Sequence, residues 1–418
     1  MQAKRHISAW AKTDVGRKRK HNEDFYLLDR SIGLYAVADG MGGYQAGDVA
    51  SEMALNGLHK RLLARPDLFS SKHASPPEQL RHTVRDYLDN AVQELSLEIF
   101  NLSQKQGGSF RMGTTLCSLV IIGDVGIVVH VGDSRCYLWR DNKLFQATED
   151  HSLVQEQLNS GVLSPEEAEK ARYKNVITRA VGMSDVLQVD LFFVDLQDRD
   201  RFLLCSDGLH GYFKNEELGA YFAIDDLDVA SSKLIDVANQ RGGKDNITVV
   251  MVSIEGKSFS VSNTQINDGI DILKHNPLFE GMTYSEILKI IPLTSIQTFE
   301  RGQTVMREGE SAENLHIVQD GSLDIFQGGE LISNLGSGDY VGEIGVFDDG
   351  IYCSTVVAKE RTRCLSIKRA ALLEILQKES GLGLKIQQSL IKALCRRLRT
   401  TTSALAWTRQ EWRRSVPS

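Results

Sequence analysis

Four acidic signatures are strung between Asn22 and Asn246: Asn22-Glu23-Asp24, Asp39-Gly40-Met41-Gly42-Gly43, Ser206-Asp207-Gly208 and Asp245-Asn246. Carboxylates from such distant stretches can share one site only if cations offset their repulsion. A cage of oxygen ligands selects hard ions, Mg²⁺ or Mn²⁺, over Zn²⁺. The chain must therefore fold so that both ends of a long segment meet around a pair of ions, and such a pair is a hydrolytic device.

Length sets the frame for that site. At 418 residues the chain is too long for one ordinary domain. Apolar residues at 42% and charged residues at 25% are those of soluble globular chains, which excludes wholesale disorder. A net charge of −7 argues against a basic nucleic-acid surface over the whole chain. The six cysteines form no CxxC pair, and three of them lie in apolar runs, so buried reduced thiols are expected. No apolar stretch near Met1 has the length of a signal peptide, and no span reaches membrane length. The expectation is a cytoplasmic protein without membrane or nucleic-acid partners.

Periodicity places the signatures. Short apolar or alternating runs at 7–11, 25–28 and 34–38 read as strands, so Asp39 begins at a strand's end. Helical spacing follows over 46–63 and 77–104. Runs at 115–122, 127–131 and 135–139 read as a meander with turns at Gly-Asp and Gly-Asp-Ser. Further strands are expected at 187–194, 202–206 and 247–254, with helices at 153–161, 165–172, 215–221 and 227–240. Strands grouped with helices but without strict alternation indicate an α+β fold, an antiparallel β-sandwich flanked by helices.

From Gly256 to Asp271 the composition turns to Ser, Asn, Thr, Gly and Lys, and the domain boundaries are set at 1–256, a linker at 257–275, and 276–418. In the last segment, strands punctuated by glycines over 298–368 signal a small β-barrel or jelly roll. A C-terminal helix follows, with Ile386, Leu390, Leu394, Leu398 and Leu405 on one stripe.

At the acidic site, Asp39 can bridge two ions while the Gly40 carbonyl approaches one closely. Glu23 would serve the second ion, and Asp207 and Asp245 the first, so that a metal-activated water attacks phosphorus near neutral pH. Arg19 suits a guanidinium clamp on the substrate phosphate. Taken singly, each Asp-Gly is more often a turn.

Together these residues resemble the metal-dependent protein serine/threonine phosphatases of the type 2C (PPM) family, bacterial type. The match runs through Arg19, the four signatures, Gly113-Thr114-Thr115 and Gly132-Asp133-Ser134-Arg135, in the family's order over roughly 1–255. The resemblance implies a phosphorylated protein as substrate, made by a Ser/Thr kinase, and hydrolysis of its phosphoserine or phosphothreonine. It implies two Mn²⁺ or Mg²⁺ ions, with Asp133 matching the position that holds a third. Met41 stands where eukaryotic members carry His; His151 is a candidate acid by residue type alone, or a structural residue. The segment from His151 to Arg179 resembles the family's flap. A non-catalytic phosphoprotein-binding scaffold is the alternative from another functional class.

Residues 277–400 resemble the cyclic-nucleotide-binding domain through Phe299-Glu300-Arg301-Gly302-Gln303, Gly309-Glu310 and Gly342-Glu343-Ile344-Gly345. The resemblance implies that Glu343 takes a ribose hydroxyl, but Tyr352 stands where an Arg should clamp the cyclic phosphate. Two readings stay open, a regulatory domain taking a cyclic nucleotide or other small ligand, and a degenerate sensor or docking barrel. The C-terminal helix resembles that family's dimer helix, which implies a homodimer; it can equally pack on its own barrel.

Overall fold

The computed structural model describes residues 6–42, 46–69, 78–105, 112–171, 173–256, 269–270, 272–348 and 350–415, with the side chains at 78, 79, 165, 380, 400 and 403–415 outside the description. Gly43 of the second signature and most of the 257–275 linker lie outside the described residues. The chain divides into two compact units, Met1–Asn263 and Thr264–Ser418.

In the first unit one sheet runs in the order β1 (His6–Asp14), β11 (Ile247–Glu255), β10 (Arg201–Cys205), β7 (Arg135–Arg140), β8 (Lys143–Gln146). The other runs β2 (Asp24–Asp29), β3 (Leu34–Met41), β5 (Leu116–Ile122), β6 (Val125–Val131), β9 (Asp190–Asp195), with the short β4 (Gly113–Thr114) on β3. Neighbours are antiparallel throughout. Side-chain alternation splits each strand between two cores. On β7 and β10, Tyr137 and Leu203 join Leu218, Leu234 and Ile235 of helices α6 (Asn215–Phe222) and α7 (Leu227–Gln240). The intervening Cys136, Leu138, Phe202 and Leu204, also buried, face the second sheet. On that sheet's far side, Leu55, Leu58 and Leu62 of α1 (Ala46–Leu63) and Val84, Leu88, Val92, Leu95 and Ile99 of α2 (Glu78–Lys105) pack against Val120, Ile122 and Val129. Each such fully buried Leu or Val contributes roughly 1.5–3 kcal/mol.

One expectation changes here. The runs at 115–122, 127–131 and 135–139 do not form one meander: β5 and β6 are a hairpin, but β7 pairs with β10 and β8 in the opposite sheet. The cause is the turn at Gly132, whose φ of +107° carries the chain across the sandwich. The third strand of the apparent meander is therefore a crossover, and it sets Asp133 at the end of the sandwich.

The second unit carries β12 (Thr294–Phe299), β19 (Thr362–Lys368), β14 (Asn314–Asp320) and β17 (Tyr340–Val341) in one sheet. Its other sheet is β13 (Thr304–Met306), β18 (Thr355–Ala358), β15 (Leu323–Gln327) and β16 (Glu330–Leu335). Two separate four-stranded sheets around Phe299, Met306, Val318, Leu323, Val356 and Cys364 make this a jelly-roll arrangement; among the described residues no closed barrel forms. The C-terminal helix spans Ser380–Ser415. Its expected stripe divides: Ile386 and Leu390 are buried, whereas Leu394 is 38% and Leu398 67% exposed, and the Leu405 side chain lies outside the described residues. All six cysteines are free thiols, and Cys117, Cys136, Cys205 and Cys364 are buried. No described helix is long and apolar enough to cross a membrane.

Candidate functional site

The acidic signatures meet at one end of the first unit's sandwich. Asp24 begins β2 and sits directly across from Asp39 near the end of β3. Asp207 follows the end of β10, and Asp245 precedes the start of β11. Backbone contacts draw the segments together. Gly40 N–H donates to the Glu23 carbonyl at 3.1 Å, Glu23 N–H donates to Asn246 Oδ1 at 2.8 Å, and Asp39 N–H donates to Thr115 Oγ1 at 2.8 Å. Close approach explains the glycine: a Cβ on Gly40 would lie 2.0 Å from the Gly47 carbonyl oxygen and 2.5 Å from that of Glu23.

Electrostatics there is one-sided. Burial, then the neighbouring Asp24, Asp207, Asp133 and Asp245, pushes the Asp39 carboxyl well above the usual carboxylate range. Burial, then Asp207, pushes Asp133 up to about 8, and burial, then Asp245, pushes Asp207 up to about 6. Asp24, buried beside them, is pushed up to about 7, chiefly by burial. Glu23 is also raised, mainly by burial. Left to themselves, these acids would rather hold protons than share the space as anions. Oδ1 of Asp24 and Oδ1 of Asp207 are buried with no hydrogen-bond partner. Acceptor oxygens gathered in excess of donors are what a hard divalent cation requires, so the residues present fit such ions.

Arg19 is the cation of this cluster. It is exposed, its Nη2 lies 2.7 Å from Asp245 Oδ2, and Glu23 and Asp39 add to the field that raises its pKa after that hydrogen bond. The residue read as a phosphate clamp thus stands at the cage's lip, on one of the expected ligands.

Several contributors were not assigned roles from sequence. Asp24, quoted within the first signature, accepts hydrogen bonds from Ser206 Oγ and Thr248 Oγ1 at 2.7 Å each, tying β2 to β10 and β11. Its inward position at a strand start was the available signal. Asn246 donates through Nδ2 to the carbonyls of Val15 at 3.0 Å and His21 at 2.9 Å, clamping both ends of the loop that carries Arg19. His210, in the short helix Asp207–His210, lies with Nε2 2.9 Å from the Asp133 carbonyl oxygen.

His151 is buried, and it grips the Asp133 turn from the other side. Its backbone N–H donates to the Gly132 carbonyl at 2.8 Å, and its Nδ1 accepts the Gly132 N–H at 3.0 Å. That assigns the role of a support, not of an acid facing a leaving group. His130, His151 and Asp190 present atoms that could hold a metal, and His130 Nδ1 is buried without a partner. The hydrogen bonding disfavours one: Nδ1 of His151 is taken up by the Gly132 N–H, and Nε2 lies 3.4 Å from the Arg179 guanidinium. A cation at Nε2 would stand beside the Arg179 guanidinium and compete with it for Asp190, its partner at 3.4 Å.

In the second unit, Gly342 at φ +96° opens the short helix Glu343–Phe347. Glu343 is 2% exposed and is paired with Arg397 of the C-terminal helix. Arg397 also donates to the Tyr340 carbonyl at 3.3 Å and lies 4.9 Å from the Tyr340 ring centroid. Tyr352 is buried, and its hydroxyl both donates to the Asn314 carbonyl and accepts the Asn314 N–H, each at 3.0 Å. Both positions singled out by sequence therefore have intramolecular partners.

Comparison with known proteins agrees with this division. A family model for protein phosphatase 2C matches residues 16–231, and one for the cyclic nucleotide-binding domain matches 296–379. The chain is 38% identical over 246 residues to the serine/threonine phosphatase stp of Listeria monocytogenes, covering 58% of this chain and 93% of that protein. It is 38% identical over 247 residues to protein phosphatase PhpP of Streptococcus pneumoniae, covering 58% and 95%. Among solved structures it is similar to the Mycobacterium tuberculosis serine/threonine phosphatase PstP/Ppp, with 32% identity, a TM-score of 0.53 and coverage of 60% of this chain and 99% of that one. A structure of the PstP catalytic domain in complex with 2 manganese ions matches at 31% identity and a TM-score of 0.52, covering 60% and 100%.

Proposed function

The chain belongs to the protein phosphatase 2C family and is a protein serine/threonine phosphatase, and from that premise we propose how its residues divide the work. Asp39, Asp207 and Asp245 would hold one Mn²⁺ or Mg²⁺ ion, and Glu23, Asp39 and the Gly40 carbonyl a second, with Asp133 contributing to a third. The observation that carries this is the convergence of mutually repelling carboxylates, two with orphaned oxygens, on one guanidinium. The manganese pair in the PstP structure supports the choice of ion. When bound, the ions supply Lewis acidity and lower the pKa of a water so that it can attack phosphorus near neutral pH.

The chain's own residues do the rest. Arg19, at the lip of the cage beside Asp245, would present its fork to the phosphoryl oxygens and orient them. Asp24 braces β2 against β10 and β11 through Ser206 and Thr248, so that Glu23 and Asp39 keep their spacing. His151 and His210 fix the turn that presents Asp133. In the reaction the bond between phosphorus and the Ser or Thr oxygen breaks, one forms to the water oxygen, and the side-chain hydroxyl leaves with a proton.

The second unit is the regulator in this reading. Its acid and its tyrosine are satisfied from within, which favours a sensor that answers to a ligand other than a cyclic nucleotide, or a docking module. Leu384, Ile391 and Leu398 are exposed at seven-residue spacing on the C-terminal helix, which supports a homodimer through that face. A cytoplasmic phosphoprotein made by a Ser/Thr kinase is the substrate.

Phosphate release from a phosphothreonine peptide by the full chain, with Mn²⁺ and with chelator, tests the assignment. Release with Mn²⁺ alone is expected; equal release in chelator would overturn the metal assignment. Calorimetry with cyclic AMP and cyclic GMP tests the second unit, and micromolar binding of either would refute the reading of Glu343 and Tyr352.

A further inference from the structure

The loop between β1 and β2 carries Arg17, Lys18, Arg19, Lys20 and His21 in succession, every one exposed, on a chain whose net charge is −7. Lys244, also exposed, lies beside Asp245 in sequence. Of these cations, Arg19 is tied to Asp245; among the described residues no carboxylate pairs with Arg17, Lys18, Lys20 or Lys244.

Nor is this a loose basic tail. Gly16 N–H donates to Asp14 Oδ1 at 2.8 Å, and the N–H groups of Arg17 and Lys18 both donate to the Gly243 carbonyl at 2.7 and 3.2 Å. Asn246 clamps the carbonyls on either side, at Val15 and His21. Gly16, at φ +79°, packs so tightly that a Cβ would lie 2.2 Å from the Asp245 carbonyl oxygen. Like charges are thus held together on a rigid frame at the lip of the acidic cage. Concentrating them costs free energy unless an anion arrives to share the field, and the frame cuts the ordering cost of binding one.

We propose that this loop is a recognition rim for anionic flanks, so that the phosphatase selects phosphothreonine or phosphoserine set beside acidic side chains or a second phosphate. The inference rests on the phosphatase reading above and names its substrate class. With the scissile phosphate in the cage and Arg19 upon it, an extended peptide places each next residue about 3.4 Å further along. The first few flanking residues therefore fall within a Debye length of roughly 8 Å from the cations at physiological salt.

The test uses the full chain with Mn²⁺ and three peptides sharing one phosphothreonine, with neutral flanks, glutamate flanks or a second phosphothreonine. The small ester 4-nitrophenyl phosphate serves as the control. At low salt kcat/KM for both anionic peptides should exceed the neutral one on the order of tenfold, three exposed charge pairs each contributing a factor of about two. The advantage should shrink as salt rises. The combined variant Arg17→Gln, Lys18→Gln, Lys20→Gln should lose it while turning over 4-nitrophenyl phosphate at the parent rate. A gain confined to the doubly phosphorylated peptide would show that the rim reads phosphate; a gain for both, that it reads charge. Equal kcat/KM across the three peptides, or a preference that survives in the combined variant, overturns the proposal. Failure to hydrolyse any of the esters would instead count against the phosphatase reading. In that event, binding of the three peptides to Asp39→Asn still decides the rim by affinity alone.

Discussion

In the first unit Asp24, Asp39, Asp133, Asp207 and Asp245 crowd one another, with the exposed Arg19 tied to Asp245 at their edge; in the second, the buried acid Glu343 is paired with Arg397. Both sites bury acids, yet they answer burial in opposite ways. The cage leaves oxygens of Asp24 and Asp207 without donors and lifts its carboxyls toward protonation. Glu343 is raised by burial as well, but Arg397 pulls it back, and the hydroxyl of Tyr352 is spent on Asn314. The lesson is that an incomplete electrostatic balance marks a site waiting for something, whereas a completed one marks a site that has closed on itself.

The contrast breaks most visibly at Asp39. Asp39→Asn should lower kcat for a phosphothreonine peptide by roughly 10³-fold or more, as loss of a group acting within one catalytic unit does. In chelator the same variant should unfold no earlier than the parent, since one repelling carboxylate is gone; a lower melting temperature would show that the cage is balanced without cations. Arg397→Ala comes next. It leaves Glu343 buried and alone, and because Arg397 is half exposed the loss should be about 1–2 kcal/mol in urea unfolding of the second unit. An unchanged midpoint would mean the pair contributes nothing. Tyr352→Phe should cost about 1 kcal/mol, by removing one hydroxyl that serves two backbone groups.

Smallest is a control inside the first unit. Burial pushes Asp29 up, but hydrogen bonds from Ser31 and His59 outweigh it and hold it at about 2. A folded value below the unfolded one means stability present above pH ~4 and lost as pH falls toward 2. Asp29→Asn should therefore be less stable than the parent at pH 6 by at most about 1 kcal/mol, with the gap closing near pH 2. A gap that persists there would show that packing rather than charge accounts for it.

Much of this was legible along the chain, for reasons that differ by residue. Helix α1 occupies Ala46–Leu63, the bounds its apolar spacing predicts, because a stripe at three and four residues is a local signal. Strand β8, Lys143–Gln146, was not foreseen: four residues carry too little alternation, although the Asp141-Asn142 turn before it, with φ of +50° and +58°, is a hairpin signature. The crossover at Gly132 hid for a related reason, since strand pattern does not say which sheet receives the strand. That Asp207, Asp245 and Glu23 would meet could be expected, because several signatures in order are improbable by chance. Asp24's bonds to Ser206 and Thr248, and Glu343's to Arg397, join positions remote in sequence and carry no local trace. The split of the C-terminal stripe was equally hidden, because helical spacing defines a face without saying what covers it.

One feature of the sandwich bears on how the protein is made. Strand β1 pairs along its whole length with β11, from His6 opposite Glu255 to Asp14 opposite Ile247. Strand β1 thus waits for the last strand of its unit, and Asp245 arrives just ahead of that partner. A growing chain that has made Glu23, Asp39 and even Asp207 still lacks both the closing strand and the final acid. Because domains fold as units and distant pairings form late, the nascent enzyme stays inert until the whole unit has been translated.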